Sequence, residues 1–174
     1  MKWGWLNMDI RLAEARDLDG VIALIAERIA WMDAVGIKQW NRTGYFTRYP
    51  RAYFLSLTEK KELFVAEDES GIAGVMALFS EDERWPDDGV PALYVHHLAA
   101  ALRCRGLGRK LLAWAECYAA GAGKERLRLD SAVGNEKLEY FYAAQGYLEA
   151  GFCDDGPYHG VLREKRLDAE VKSK

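Results

Sequence analysis

Between Arg103 and Leu112 the chain reads Arg-Cys-Arg-Gly-Leu-Gly-Arg-Lys-Leu-Leu, with two glycines and four cations directly ahead of an amphipathic helical pattern. The first-turn amides of a helix carry roughly half a positive charge, and glycine lets the backbone approach an anion with no Cβ in the way. This is chemistry for holding a pyrophosphate. Just upstream, His96 and His97 close an apolar run. Histidine exchanges a proton near neutral pH, and alternation along a strand would send one ring toward a cleft and the other into the core. Glu67, at the end of another apolar run, is a further candidate base, acting directly or through water. Cys104 lies between Arg103 and Arg105, cations that would lower its pKa, but no partner base is evident and it is not read as a nucleophile.

These groups need elements to position them. Residues 92–98, Ala-Leu-Tyr-Val-His-His-Leu, read as a strand feeding the glycine turn. The helix that follows is expected from about Leu107 to Ala120, with Leu111, Leu112, Ala115 and Tyr118 on one face and Gly121 and Gly123 ending it. Nearer the start, residues 9–13 alternate like a short strand. Asp17 is placed to cap a helix whose apolar positions Val21, Leu24, Ile25, Ile29 and Met32 recur at helical spacing up to Gly36. Residues 63–67 and 72–79 are two strands joined by an Asp-Glu-Ser-Gly turn. Residues 126–130 form another strand, Asn135 to about Gln145 a helix ended by Gly146, and 147–152 and 158–167 a last strand pair. The order β-α-α-β-β-β-α-β-α-β-β describes a mixed α/β sheet covered by helices. Between the first helix and the second strand, Trp40, Tyr45, Phe46, Tyr49, Tyr53 and Phe54 crowd into one segment. Tyr45, Tyr49 and Tyr53 have helical spacing, although Tyr49-Pro50 starts any helix after Tyr49.

Composition narrows the classes of function. A chain of 174 residues is most simply one domain, and its formal net charge of −3 lacks the overall basicity of a nucleic-acid binder. The basic residues 103, 105, 109 and 110 form a local patch suited to a small anionic ligand. Three cysteines, Cys104, Cys117 and Cys153, show neither a disulfide framework nor ligand spacing for zinc, so no metal is expected and a reducing, cytoplasmic setting is the default. No segment has the length of a membrane span or the form of a signal peptide. Residues 1–7 are expected to be an N-terminal extension, 8–167 the folded domain and 168–174 a tail.

Arg103-x-x-Gly106-x-Gly108 after a strand, followed by Asn135-Glu-Lys-Leu-Glu-Tyr-Phe-Tyr142-Ala-Ala-Gln-Gly146-Tyr147, resembles the acetyl-CoA-binding motifs of the GNAT N-acetyltransferase superfamily. The element order is similar too, and the likeness covers the chain from Met8 to about Leu167. It implies a mostly antiparallel central sheet flanked by helices, with a splayed fourth strand. It also implies acetyl-CoA as cosubstrate, its pyrophosphate on the turn formed by Arg103, Cys104, Arg105, Gly106, Leu107, Gly108 and Arg109. The pantetheine arm would lie along the backbone of Leu98, Ala99 and Ala100 like an added strand, with an amide there polarising the thioester carbonyl. The usual spacing in the family is about seven residues from its apolar triplet to the arginine, whereas Leu98 and Arg103 are five apart. Either the loop is short or the triplet is His96-His97-Leu98, and we favour the short loop.

By the same resemblance Asn135 caps the second motif helix and reaches the pantetheine arm. Tyr142, two turns on and nearly on the same face, is the general acid for the leaving thiolate. The implied reaction is direct acetyl transfer to the amine of a small molecule or peptide in a ternary complex, with the aromatic segment as acceptor wall. The base remains open among Glu67, His96, His97 and water. A non-catalytic CoA-sensing or interaction module of the same fold is the alternative, and homodimers are common in the family.

Overall fold

The alternating and apolar runs assemble into one seven-stranded sheet in the computed structural model, which describes residues 8–167. The expected extension 1–7 and tail 168–174 lie outside the described residues. The strands are β1 (Asp9–Leu12), β2 (Leu63–Asp68), β3 (Gly71–Phe79), β4 (Ala92–Ala100), β5 (Arg126–Ala132), β6 (Leu148–Asp155) and β7 (Tyr158–Arg166). They run in the order β1-β2-β3-β4-β5-β7-β6, and every neighbouring pair is antiparallel except β4 with β5. This is the mixed, mostly antiparallel sheet the motifs imply. Five α-helices accompany it among the described residues: α1 (Leu18–Val35), α2 (Tyr45–Arg48), α3 (Arg51–Glu59), α4 (Leu107–Gly121) and α5 (Glu136–Ala143).

Helix α1 stops at Gly36 as its spacing predicts, burying Leu18, Val21, Leu24, Ile25 and Met32. Asp17 holds the capping position but does not cap. Its carboxylate accepts from the Glu14 amide at 2.8 Å and takes a two-pronged bond from Arg11 at 2.7 and 3.0 Å, with no bond to the helix. An arginine six residues earlier outcompetes neutral amides for an anion, because charge-assisted bonds are roughly twice as strong. Arg11, ahead of the backbone bond, holds Asp17 below the usual carboxylate range.

Helix α4 lies close against β3 because Gly74 offers no side chain there. A Cβ at that position would stand 2.9 Å from Leu111 Cδ1 and 3.2 Å from Leu107 Cδ2. Leu107, Leu111 and Leu112 are thereby fully buried, each removing apolar surface worth about 1.5–3 kcal/mol.

Two irregularities set β4 apart from the other strands. Val75 pairs with Ala99 but Ala77 with His96, so Met76 stands opposite two residues, His97 and Leu98, in a bulge. His97 takes φ +54°, a left-handed conformation that costs a side-chain-bearing residue about 1–2 kcal/mol. The bulge therefore falls inside His96-His97-Leu98, the alternative to a short loop. Second, the parallel ladder of β4 with β5 covers only Ala92↔Arg126 to Val95↔Leu129. Beyond it β4 continues along β3 to Ala100 and β5 along β7 to Ala132. The fourth strand parts from its neighbour, and a cleft opens inside the sheet.

Candidate active site

Two cavities meet in this cleft, one of about 380 Å³ and one of about 550 Å³. Leu98, Leu138, Phe141 and Tyr142 belong to the walls of both, together with Arg28 and Trp31 of α1. The larger cavity runs from this junction along Leu98, Ala99 and Ala100 to the glycine turn, where Cys104, Arg105, Gly106, Gly108 and Arg109 line it. The residues assigned to the cofactor from sequence thus come together, with three exceptions, of which Asn135 lines the smaller cavity instead. Leu107 points into the core, and Arg103 turns away to an ion pair with Asp68 at the β2–β3 hairpin.

Gly106 precedes α4 at φ +82° with open space where a Cβ would be, a conformation glycine adopts without strain. The amides of Gly108 and Arg109 follow in the first turn, where no carbonyl precedes them within the helix. With Arg105 and Arg109 alongside, the turn has the donors and charge to hold a pyrophosphate. Cys104 is buried, and that burial outweighs Arg103 and pushes its thiol pKa up. This reverses the lowering inferred from its arginine neighbours, because desolvation penalises the thiolate more than the adjacent cation helps it.

Asn135 caps α5, its side chain accepting from the Leu138 amide at 3.2 Å, and it also lines the smaller cavity. Tyr142 is 6% exposed, and its hydroxyl makes no hydrogen bond to any described residue although it lines both cavities. Burial, then the charge of Asp130, raises its pKa above the ordinary phenol value, so it stays a proton donor through neutral and alkaline pH.

The two histidines have separate environments. His97 is enclosed by aromatic rings, Nδ1 2.5 Å from the Tyr45 hydroxyl and Nε2 2.9 Å from that of Tyr53. Burial first, then His96 and Arg84, pushes it far below the usual histidine range, leaving it neutral. His96 lines the smaller cavity, stacks on Phe79 and bonds Asp82 through Nε2 at 2.8 Å. Burial disfavours the Asp82 carboxylate, but the bond and charge of His96 outweigh it and hold Asp82 ionised below its usual range. An ionised Asp82 can only accept, so whenever the ring is neutral Nε2 carries the proton and Nδ1 the lone pair. Glu67 instead pairs with Arg11 at 2.7 Å and contributes to neither cavity wall.

The aromatic segment divides. Trp40, Tyr45 and Tyr49 line the smaller cavity, whereas Phe54 is fully buried in the core. Contrary to the expectation that any helix starts after Tyr49, α2 already begins at Tyr45; Pro50 only separates it from α3, and the three tyrosines pack across the break with tilted rings whose centroids lie 5.0 and 4.9 Å apart. Opposite them, Arg84 bonds Asp155 at 2.7 Å and Asp130 at 3.0 Å, Arg48 bonds the same Asp155, and Tyr158 donates to Asp130. Asp82, His96 and Asp130 bring one ligand atom each within 4.8 Å of one another, but each already has a protein partner. Sequence reasoning missed Arg28, Trp31, Asp82 and Arg84, since none belongs to a motif.

Residues 26–147, more than half of the chain, match the family described as Acetyltransferase (GNAT) family. The uncharacterised N-acetyltransferase YesJ of Bacillus subtilis is 32% identical over 162 residues, covering 88% of this chain and 87% of its own. Among solved structures, a GNAT-family acetyltransferase from Streptococcus agalactiae has a TM-score of 0.77 at 21% identity, covering 94% of this chain and 97% of that one. The PaiA N-acetyltransferase of Thermoplasma acidophilum, in complex with coenzyme A, has a TM-score of 0.74 at 19% identity, covering 92% and 99%. The structural likenesses show the fold, the family match and YesJ extend it to sequence, and the chain therefore belongs to the GNAT family of acetyltransferases.

Proposed function

We propose that this chain is an N-acetyltransferase that moves an acetyl group from acetyl-CoA to a primary amine by direct attack in a ternary complex, acting in the cytoplasm through its 8–167 domain. The observation that carries the reading is the junction of two cavities at Leu98 and Tyr142, where a cofactor in one and an acceptor in the other would meet. Acetyl-CoA, when bound, supplies the acetyl group as a thioester. The turn at Arg105, Gly106, Gly108 and Arg109 fits its pyrophosphate, and the open edge of β4 from Leu98 to Ala100 fits the arm as a further strand.

In this reading Nδ1 of His96 takes a proton from the acceptor ammonium, directly or through water, and Asp82 holds the ring in the tautomer that leaves Nδ1 free. Tyr142 returns a proton to the departing sulfur. Its raised pKa weakens it as an acid, but the same desolvated wall raises the basicity of a thiolate beside it. Cys104, buried with its thiol pKa pushed up, offers no nucleophile for a covalent intermediate, which favours direct transfer.

Titration calorimetry with acetyl-CoA and CoA, followed by thiol release across a panel of primary amines, tests the proposal. Saturable binding and amine-dependent release are expected. Absence of binding refutes it, and binding with no acetylation of any amine would instead leave a CoA-sensing module.

A further inference from the structure

Four cations line the smaller cavity: Arg28, Arg48, Arg84 and Lys137. Arg48 and Arg84 share Asp155, and Arg84 also holds Asp130, so their charges are matched within the protein. Lys137 is exposed on α5. Arg28 is different. It is half-buried on α1, its guanidinium lies 4.5 Å from the centroid of the Trp31 ring, and among the described residues no carboxylate comes within ion-pair distance. The neighbouring Glu27 carboxylate accepts the Leu102 amide at 3.1 Å and offsets only part of the desolvation that draws the Arg28 pKa down. An arginine desolvated and stacked on a ring, but given no counter-ion, is prepared for an anion from outside.

Its position says which anion. Arg105 and Arg109 line the larger cavity alone, beside the turn suited to phosphates, whereas Arg28 lines both cavities at their junction. There the pantetheine arm of a bound cofactor is uncharged, so an anion at this point belongs to the acceptor. Resting on the acetyltransferase reading, we propose that Arg28 anchors a carboxylate of the acceptor, which is therefore an amino acid or a close analogue carrying an amine and a carboxylate on one small body. The guanidinium sits over the Trp31 ring and donates no hydrogen bond to any described residue, which leaves its N–H groups for the two-pronged bond that a carboxylate matches. Trp40 and Tyr49 receive the apolar side of the acceptor, and the amine reaches the side of the cavity held by His96.

Equilibrium binding tests this independently of turnover. The protein saturated with CoA is titrated with a panel of L-amino acids and, in parallel, with their carboxamides. At least one acid is expected to bind about tenfold or more tighter than its amide, and Arg28→Gln to abolish that preference while leaving acetyl-CoA affinity within about twofold. Arg28→Lys, which keeps charge but loses the fork, should retain part of it and verify that the helix still folds. Equal binding of acids and amides, no binding of any acid, or an Arg28→Gln variant whose main loss is acetyl-CoA affinity would each overturn the assignment. Acids that bind through Arg28 while no amine of the panel is acetylated would uphold the anchor and refute the acetyl-transfer reading instead.

Discussion

Replacing Tyr142 by Phe removes one oxygen from the junction of the two cavities and leaves the ring, with its edge-on contacts to Phe141 and Tyr147, in place. The hydroxyl bonds no described residue, so its loss breaks no internal hydrogen bond. A buried hydroxyl without a partner burdens the fold by about 1–3 kcal/mol. Here it opens onto a cavity that water can reach, which limits the relief on removal to about 1 kcal/mol. For a chain of this size that raises Tm by at most about 2–4 °C. Turnover should move the other way, falling about a hundredfold to ten-thousandfold, the usual contribution of a positioned general acid. Thermal unfolding and thiol release on the same preparation check both halves, with acetyl-CoA affinity by calorimetry expected to be unchanged. A variant within about threefold of wild-type turnover would refute the acid assignment. A Tm lowered by more than about 5 °C would refute the claim that the hydroxyl has no structural role.

His97, buried neutral, must gain a proton on unfolding at acid pH. Because its folded pKa is depressed, its stabilising contribution is complete above about pH 6.5 and is lost by about 1.4 kcal/mol per unit as pH falls from there toward the folded value. His97→Asn, which tolerates the left-handed backbone but does not titrate, should flatten that slope in denaturant unfolding between pH 7 and 5. Gly74→Ala places a methyl 2.9 Å from Leu111 and 3.3 Å from Ala66 Cβ, and should cost about 1–3 kcal/mol in the same assay. Glu67→Gln should leave kcat within about twofold of wild type, while His96→Gln lowers kcat/KM about a hundredfold and removes its acid limb; the pH–rate profiles of the two variants decide which residue is the base.

What could be read from sequence was chemistry held within short spans. The glycines and cations of 103–110 are contiguous, and Asn135 and Tyr142 lie on one helix, so local geometry brings each set together without knowledge of the fold. His96 could be named a base but not chosen, because its partner Asp82 is 14 residues earlier in a polar loop, and only the path of that loop brings the carboxylate to the ring. Arg28 and Trp31 sit on a helix apolar on most of its surface, where no polar stripe marks the cavity side. Asp17 and Cys104 failed for a shared reason. Their sequence neighbours suggested a cap and a lowered thiol pKa, but tertiary contacts, Arg11 in one case and burial in the other, outweighed those neighbours.

The last rung of the β4–β5 ladder, Val95↔Leu129, is also part of the wall of the smaller cavity. The number of paired residues therefore acts as a ruler for the depth of the site. One additional rung would raise the floor by about 3.3 Å, the rise of one strand residue, and one fewer would lower it by as much. Relatives could thus accommodate longer or shorter acceptors by shifting where two strands part.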